Sequence, residues 1–293
     1  MENRFNKTHI IVLTYAFITV ILWASAFVFT KVAFVSFTPE ALGSVRYLFA
    51  SIFLLVFAII KKISLPKPKD IPMFFLTGLL GFALYVYAFN KGSVTVTAST
   101  ASVLTSTAPI ITAILAVIFY KERINKICWI AIALEFLGII IIALNDGIFS
   151  INKGVEWILT AAFCISLYNI IQRKLLKEYT PLESTTYSIF AGTILLTVFL
   201  KDGLAQLWAA PMLQIVNVIC LGFLPGAIAY LFWVTAISKA KKVTTVTNFM
   251  FITPLLSTIM GLIVIKEVPS HVTIIGGCII IGASILFQKL NKL

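Results

Sequence analysis

Residues 10–34 read IIVLTYAFITVILWASAFVFTKVAF, an apolar run that meets no charge before Lys31. A bilayer core about 30 Å thick needs about 20 helical residues to cross it, and this run is long enough. Arg4 and Lys7 precede it and Ala24-Ser25-Ala26 lies inside it, which is the outline of a secretory leader. The run continues past that triplet, so it reads as a retained first helix. Nine more apolar runs follow, at residues 41–60, 71–90, 97–119, 127–144, 155–172, 184–200, 212–237, 246–265 and 272–287. Between them lie short loops with turn formers such as Pro66-Lys67-Pro68 and Asn145-Asp146-Gly147.

Composition agrees with that reading. Of 293 residues 60% are hydrophobic and 12% charged, against about 25% charged in a soluble protein. Mean hydropathy is +1.04. A chain this apolar has no water-facing surface to offer, so its outer face meets lipid. The net charge of +12 sits in short Lys and Arg clusters between the runs, which is how membrane topology is written. It does not indicate a nucleic-acid partner. Cys128, Cys164, Cys220 and Cys278 form no Cys-x-x-Cys pair, so neither a disulfide framework nor a metal site is expected. No Gly-x-x-x-x-Gly-Lys loop is present, which argues against ATP as the energy source. No cofactor is expected.

Basic residues also orient the chain. With the N-terminus inside, 17 of the 23 lysines and arginines fall in inside loops and five outside, with Arg46 left within a span. That asymmetry predicts ten spans with both termini cytoplasmic, in the inner (plasma) membrane.

The sequence repeats itself. A shift of 142 residues carries Thr38-Pro39 onto Thr180-Pro181 and Lys31 onto Arg173; a shift of 145 carries Gly81 onto Gly226, Tyr85 onto Tyr230, Pro109 onto Pro254 and Lys121-Glu122 onto Lys266-Glu267. The halves are residues 1–148 and 149–293, with five helices each. An odd number of spans inverts the second half relative to the first. The expected fold is therefore an all-α integral membrane protein of ten transmembrane helices in two inverted five-helix repeats, an arrangement typical of alternating-access transporters.

Trp23-Ala24-Ser25-Ala26-Phe27, Lys31, Pro39 and Arg46, followed by the hydroxylated run from Thr97, Pro109, Lys121-Glu122-Arg123 and Gly138, resemble an EamA-type repeat of the drug/metabolite transporter superfamily. Asn248, Pro254, Lys266-Glu267 and Gly276-Gly277 resemble the same piece again. The second copy departs from the first: Val268-Pro269 follows Glu267, and helix 6 carries no Trp to match Trp23. The resemblance implies a central cavity lined mainly by helices 1, 3, 4, 6, 8 and 9, and movement of amino acids, other metabolites or drugs.

Candidate site residues follow from polarity inside the spans. Inward faces are read as Thr19, Trp23, Ala26 and Thr30 in helix 1, Thr97, Ala101, Thr105, Ala108 and Thr112 in helix 4, and Thr160, Cys164, Tyr168 and Gln172 in helix 6. In helix 9 the face is Thr244, Asn248, Phe251, Leu255 and Thr258. Any single Thr or Ser on these faces reads first as helix-packing glue. Trp23, Tyr85, Tyr168, Asn169, Tyr230, Trp233 and Asn248 are the substrate-binding candidates, since aromatics with a few polar groups suit an amphipathic organic ligand. Pro109, Pro225, Gly226 and Pro254 interrupt helices 4, 8 and 9 and are the candidate hinges. Glu135, in mid-span, is the candidate for proton coupling, with pairing to Arg46 as the structural alternative. Arg46 itself reads as a snorkelling or paired residue off the cavity. Glu122 and Glu267 read as interfacial caps or ion-pair partners.

These features point to a monomeric secondary transporter of a small neutral or zwitterionic metabolite, such as an amino acid or an amphipathic compound, with export as the expected direction. The alternatives are an integral-membrane enzyme and a channel. His9 and His271 sit at segment ends, no two carboxylates share a span, and neither charged rings nor filter loops are visible. Groups of those kinds would favour an enzyme or a channel.

Overall fold

The computed structural model describes residues 2–121, 128–143, 153–240 and 243–291, which are all-helical. Ten helical rods run among them: α1 (Glu2–Ala33), α2 (Pro39–Lys61), α3 (Pro68–Thr95), α4 (Ala98–Tyr120), α5 (Cys128–Ala143), α6 (Lys153–Leu175), α7 (Pro181–Ala209), α8 (Met212–Lys239), α9 (residues 243–264) and α10 (His271–Asn291). Seven, namely α1 to α4 and α6 to α8, are long and apolar enough to cross a bilayer; α5, α9 and α10 contain shorter apolar helices. This is a multi-pass helical membrane protein.

The ends of the rods are set by local chemistry. Thr38 and Thr180 stand in extended conformation ahead of Pro39 and Pro181, and their hydroxyls accept from the Ala41 and Glu183 amides. Proline at the first helical position loses no bond there, so the two Thr-Pro pairs start α2 and α7 alike. Lys121 (φ 53°) and Lys266 (φ 54°), 145 residues apart, both take the left-handed conformation just beyond α4 and α9.

Small residues bring the rods together. A Cβ on Gly78 of α3 would lie 2.5 Å from the Gly192 amide nitrogen of α7, and one on Gly222 of α8 would lie 2.5 Å from the Arg46 carbonyl oxygen of α2. Ser51 and Thr193, 142 residues apart, share a hydroxyl hydrogen bond of 2.7 Å. The outward faces of α2 and α5 expose Ile52, Leu55, Ile59, Trp129, Phe136 and Ile140, the surface that lipid would cover. The innermost apolar cluster joins Tyr47, Phe82, Tyr168, Ile189, Tyr230 and Trp233.

Two expected inward faces differ in the structure. Thr160 is exposed, and its hydroxyl bonds to the Glu156 carbonyl of its own helix at 2.9 Å. A hydroxyl satisfied in that way can face lipid. In α9 Leu255 is 60% exposed, whereas Met250, Thr253, Ser257 and Gly261 are buried. Residues 248–252 form a 3-10 stretch with three residues per turn, which shifts the phase that a 3.6-residue period predicts. Glu122, Arg123 and Asn145-Asp146-Gly147 lie outside the described residues.

Candidate functional site

Five rods change their winding partway along their length: the 3-10 turn of α7 at Thr197–Phe199 has no counterpart in α2, and the other four breaks pair up across the halves. In α3 the α-helix gives way to a π turn at Leu79–Ala83, and in α8 at Leu224–Ile228, 145 residues later. In α4 the helix stops at Thr105 and restarts at Ala108; in α9 the 3-10 stretch Asn248–Ile252 leads into a restart at Thr253, again 145 residues later. Pro109, Pro225 and Pro254 fall at three of these breaks. Proline removes an amide donor and leaves a carbonyl free. The α3 break has no proline. There Gly81 takes the Tyr168 ring against its backbone, since a Cβ would lie 2.4 Å from that ring.

Carbonyls within the two π turns are used between halves. The Trp23 indole N–H donates to the Pro225 carbonyl at 3.3 Å, and the Tyr230 hydroxyl donates to the Gly81 carbonyl at 3.5 Å. The Trp23 ring meets Tyr230 edge-on at 5.2 Å and Trp233 at 4.7 Å between centroids.

These breaks surround a small cavity. Trp23, Phe27, Tyr85, Phe89 and Tyr230 form its aromatic walls, Ser102, Thr105, Ser106 and Thr253 bring hydroxyls, and Ile165 and Met250 complete the apolar lining. The free space is about 20 Å³, enough for about one water molecule. A substrate fits only after the surrounding helices part.

The sequence candidates divide into a lining set and a supporting set. Trp23, Tyr85 and Tyr230 face the cavity. Tyr168, Asn169 and Trp233 are fully buried behind it. Trp233 donates its indole N–H to Asn169 Oδ1 at 2.9 Å, and the Tyr168 ring stands edge-on to Phe82 at 5.3 Å and to Tyr230 at 6.0 Å. Asn248 begins the 3-10 stretch of α9, and its side chain lies outside the described residues. So does that of Glu135, whose helix α5 packs mainly on α10 and, through Ala131 and Ile132, on Ile110 and Ala113 of α4. Glu267 accepts from the Ser99 amide at 3.4 Å, in the first turn of α4, in keeping with a capping role.

Arg46 is the residue that the sequence reading misplaced. It is 3% exposed and lines the cavity rather than reaching out to the interface. Its guanidinium carbon lies 5.6 Å from the centre of the Tyr47 ring, its Nε has no acceptor, and it makes no ion pair among the described residues. Nine positions, about two and a half turns, separate Arg46 from the lipid-facing Leu55, so the two point to opposite sides of α2.

A multi-pass helical bundle with broken helices around an inward-facing aromatic and hydroxyl cavity belongs to the architecture of membrane transporters. The EamA-like transporter family matches the chain twice, over residues 10–144 and 152–288. The chain belongs to that family, which consists of transporters and not of enzymes. It is 36% identical over 276 residues to the uncharacterized transporter YdfC of Bacillus subtilis, covering 93% of this chain and 89% of that one. It is 29% identical to a probable terminal-alkyne amino-acid exporter of Streptantibioticus cattleyicolor, covering 93% and 91%. An S-adenosylmethionine uptake transporter of Rickettsia bellii is 25% identical, covering 84% and 82%. The fold matches a protein of known crystal structure with a TM-score of 0.67 at 16% identity, covering 96% of this chain and 97% of that one.

Proposed function

We propose that this chain is a secondary transporter that exports a small zwitterionic or neutral amphipathic metabolite, amino acids first among them, by alternating access. The observation that carries the reading is the mid-span cavity. Both halves line it, through α1 to α4 on one side and α6, α8 and α9 on the other, and a helix break from each of α3, α4, α8 and α9 lies beside it. Breaks at such a site give carbonyls to a substrate or give a hinge to the helix.

The working form is ten spans in two inverted halves, residues 1–148 and 149–293, acting as a monomer in the inner membrane with both termini cytoplasmic. Support comes from the bond between Ser51 and Thr193. Positions equivalent under the repeat touch one another when a pseudo-twofold axis passes between them. The breaks at Pro109, Pro225-Gly226 and Pro254 are the hinges on which the halves exchange access. Amino acids come first because one relative is named a probable terminal-alkyne amino-acid exporter, and export because that relative is more similar to this chain than the S-adenosylmethionine uptake transporters are.

Sealed vesicles containing the purified protein test the proposal. Amino acids loaded inside should leave faster than from empty vesicles, with saturation, and a pH gradient should drive accumulation if protons are coupled. The same vesicles with Glu135→Gln read whether that carboxylate does the coupling. A reporter fused after Leu293 should face the cytoplasm and one near Asp146 the opposite side. The reverse pair of readings would break the topology, and movement of none of the compounds would break the substrate class.

A further inference from the structure

Arg46 is a cation to which the described residues offer no counter-charge. It is buried in the cavity wall, its Nε lacks an acceptor, and no carboxylate among the described residues pairs with it. An ion kept from water is costly unless something balances it. Lysine in such a place can become neutral, but arginine cannot. What surrounds the guanidinium is uncharged: the ring of Tyr47, next to it on α2, the Tyr85 and Tyr230 side chains in the same cavity wall, and the Gly226 backbone of α8, where a Cβ would sit 3.8 Å from Nε. The natural occupant of the space before it is a carboxylate, whose two oxygens match the planar fork.

The α4 wall is built for the opposite charge. Thr105 donates its hydroxyl proton to the Ala101 carbonyl at 2.8 Å, and Ser106 donates to the Val103 carbonyl at 2.6 Å. With their single protons used, these oxygens can only accept. The faces of Trp23, Tyr85 and Tyr230 also favour a cation. The cavity wall thus holds one fixed cation, which suits an anion, and acceptor oxygens and ring faces, which suit an ammonium.

We infer that Arg46 binds the carboxylate of the transported compound, and that the substrate is an α-amino acid or a compound with the same zwitterionic head, its ammonium directed at Thr105, Ser106 and the aromatic faces. The inference rests on reading the cavity as the transport site. It excludes simple amines and uncharged amphiphiles as the primary cargo.

The test uses the full chain, purified in detergent, with thermal unfolding as the readout, because a compound that binds the folded state raises its stability. The probes are L-leucine, L-phenylalanine and L-threonine, the carboxamide of each, and the acid of each lacking its amino group. At least one amino acid should stabilise the protein, its amide should bind at least roughly thirtyfold more weakly, and the deaminated acid should also bind more weakly. Arg46→Gln should remove the preference for acid over amide, and Arg46→Lys should keep part of it. Because the acid-to-amide ratio is read on the unsubstituted protein, the inference stays open to refutation even where a variant fails to fold. Equal binding of acid and amide, stabilisation by none of the acids, or an acid preference that survives Arg46→Gln would overturn the inference. Vesicle export of a carboxylate-free amine, unaffected by Arg46→Gln, would refute the role of Arg46 and leave the transporter reading intact. Acid binding that never leads to movement across the vesicle would do the reverse.

Discussion

The two halves of this protein share a scaffold and differ in what they present to the cavity. Under the shift of 145, the π turn of α3 falls on that of α8, the restart of α4 falls on that of α9, and Tyr85 falls on Tyr230. Under the shift of 142, Trp23 falls on Ile165 and Arg46 on Ser188. Ile165 is a flat apolar part of the wall, and Ser188 is buried away from it, bonded to Thr77 at 2.8 Å and accepting from Gln172 at 3.2 Å. Symmetry therefore lies in the backbone, where hinges have to work for both access directions. Asymmetry lies in the side chains, where one ligand with two unlike ends has to be held.

The scaffold side of that comparison predicts the largest effects. Gly78 and Gly222 sit at the α3/α7 and α8/α2 crossings, each with a neighbouring backbone atom 2.5 Å from where a Cβ would be. Backbone cannot turn aside as a long side chain can. Gly78→Ala and Gly222→Ala should each cost about 1–3 kcal/mol or more by overpacking, seen as a large fall in the unfolding temperature of purified protein. Gly282, with nothing within 4 Å, is the control, and Gly282→Ala should be neutral. If one crossing tolerates alanine and the other does not, the halves are not equivalent even as scaffolds.

Much of the scaffold was legible in the sequence because span length and loop charge are written residue by residue. The Thr-Pro starts and the Lys-Glu pairs could be matched by eye, and the structure gives the Thr-Pro starts the same caps. The π turns carried a weaker signal: Gly81 and Gly226 mark the spots, but a glycine alone does not distinguish a bulge from a tight crossing. The inward face of α9 was misread because a single period cannot follow a helix that changes winding at residues 248–252. The cavity was half legible. Trp23, Tyr85 and Tyr230 line it, whereas Tyr168, Asn169 and Trp233 support it from behind. Residues that share a helical face still divide between the two sets: on α8 Tyr230 lines the cavity and Trp233, three positions on, does not, and on α6 Ile165 lines it and Tyr168 does not. Arg46 was misplaced because a charge near a helix end fits snorkelling as well as it fits a cavity. Only the opposite lipid face of α2 separates the two.

The lining side of the comparison predicts a middle-sized effect on transport with little loss of protein. Trp23→Ala removes a ring that can face a cation and a hydrogen bond to Pro225, and should lower export roughly tenfold, which matches a cation–π contribution of about 1–2 kcal/mol. Trp23→Phe keeps a ring without the N–H and should fall between that variant and the parent. Ile165→Val, at the equivalent place, should leave export near the parental rate. The measurement is the initial rate from vesicles matched for protein content. Equal losses at Trp23 and Ile165 would mean that the asymmetry of the cavity has no bearing on the substrate.

The smallest effect belongs to the two clasps that tie the halves at opposite ends of the molecule. At one end, between the α2–α3 and α6–α7 loops, Lys67 Nζ meets Glu178 Oε2 at 2.8 Å and the Tyr179 hydroxyl donates to Asp70 at 2.7 Å. At the other end the Thr38 amide donates to Gln206 Oε1 at 2.8 Å and the Gln206 amide donates to the Thr38 hydroxyl at 3.4 Å. The first clasp is charged and the second is neutral, so only the first should respond to pH. The Lys67 ammonium bonded to it holds the Glu178 carboxyl below its ordinary value, and the same bond holds Lys67 above its own. A lowered carboxylate stabilises the fold fully above its unfolded value of about 4.3 and loses that contribution as pH falls through the folded value. A raised lysine contributes fully below its unfolded value of about 10.4 and loses that contribution as pH rises through the folded value. The clasp should therefore help between about pH 5 and 10 and fade on either side. Both groups are exposed, so salt should weaken it as well. The check is the unfolding temperature of Glu178→Gln relative to the parent across that range, in low and high salt, with Gln206→Ala as the uncharged counterpart. The Glu178 difference should be small near neutrality and vanish in acid, while the Gln206 difference stays level. A Glu178 difference that persists unchanged below pH 3 would mean that the two charges do not act on each other, and the contrast between the clasps would be one of composition alone.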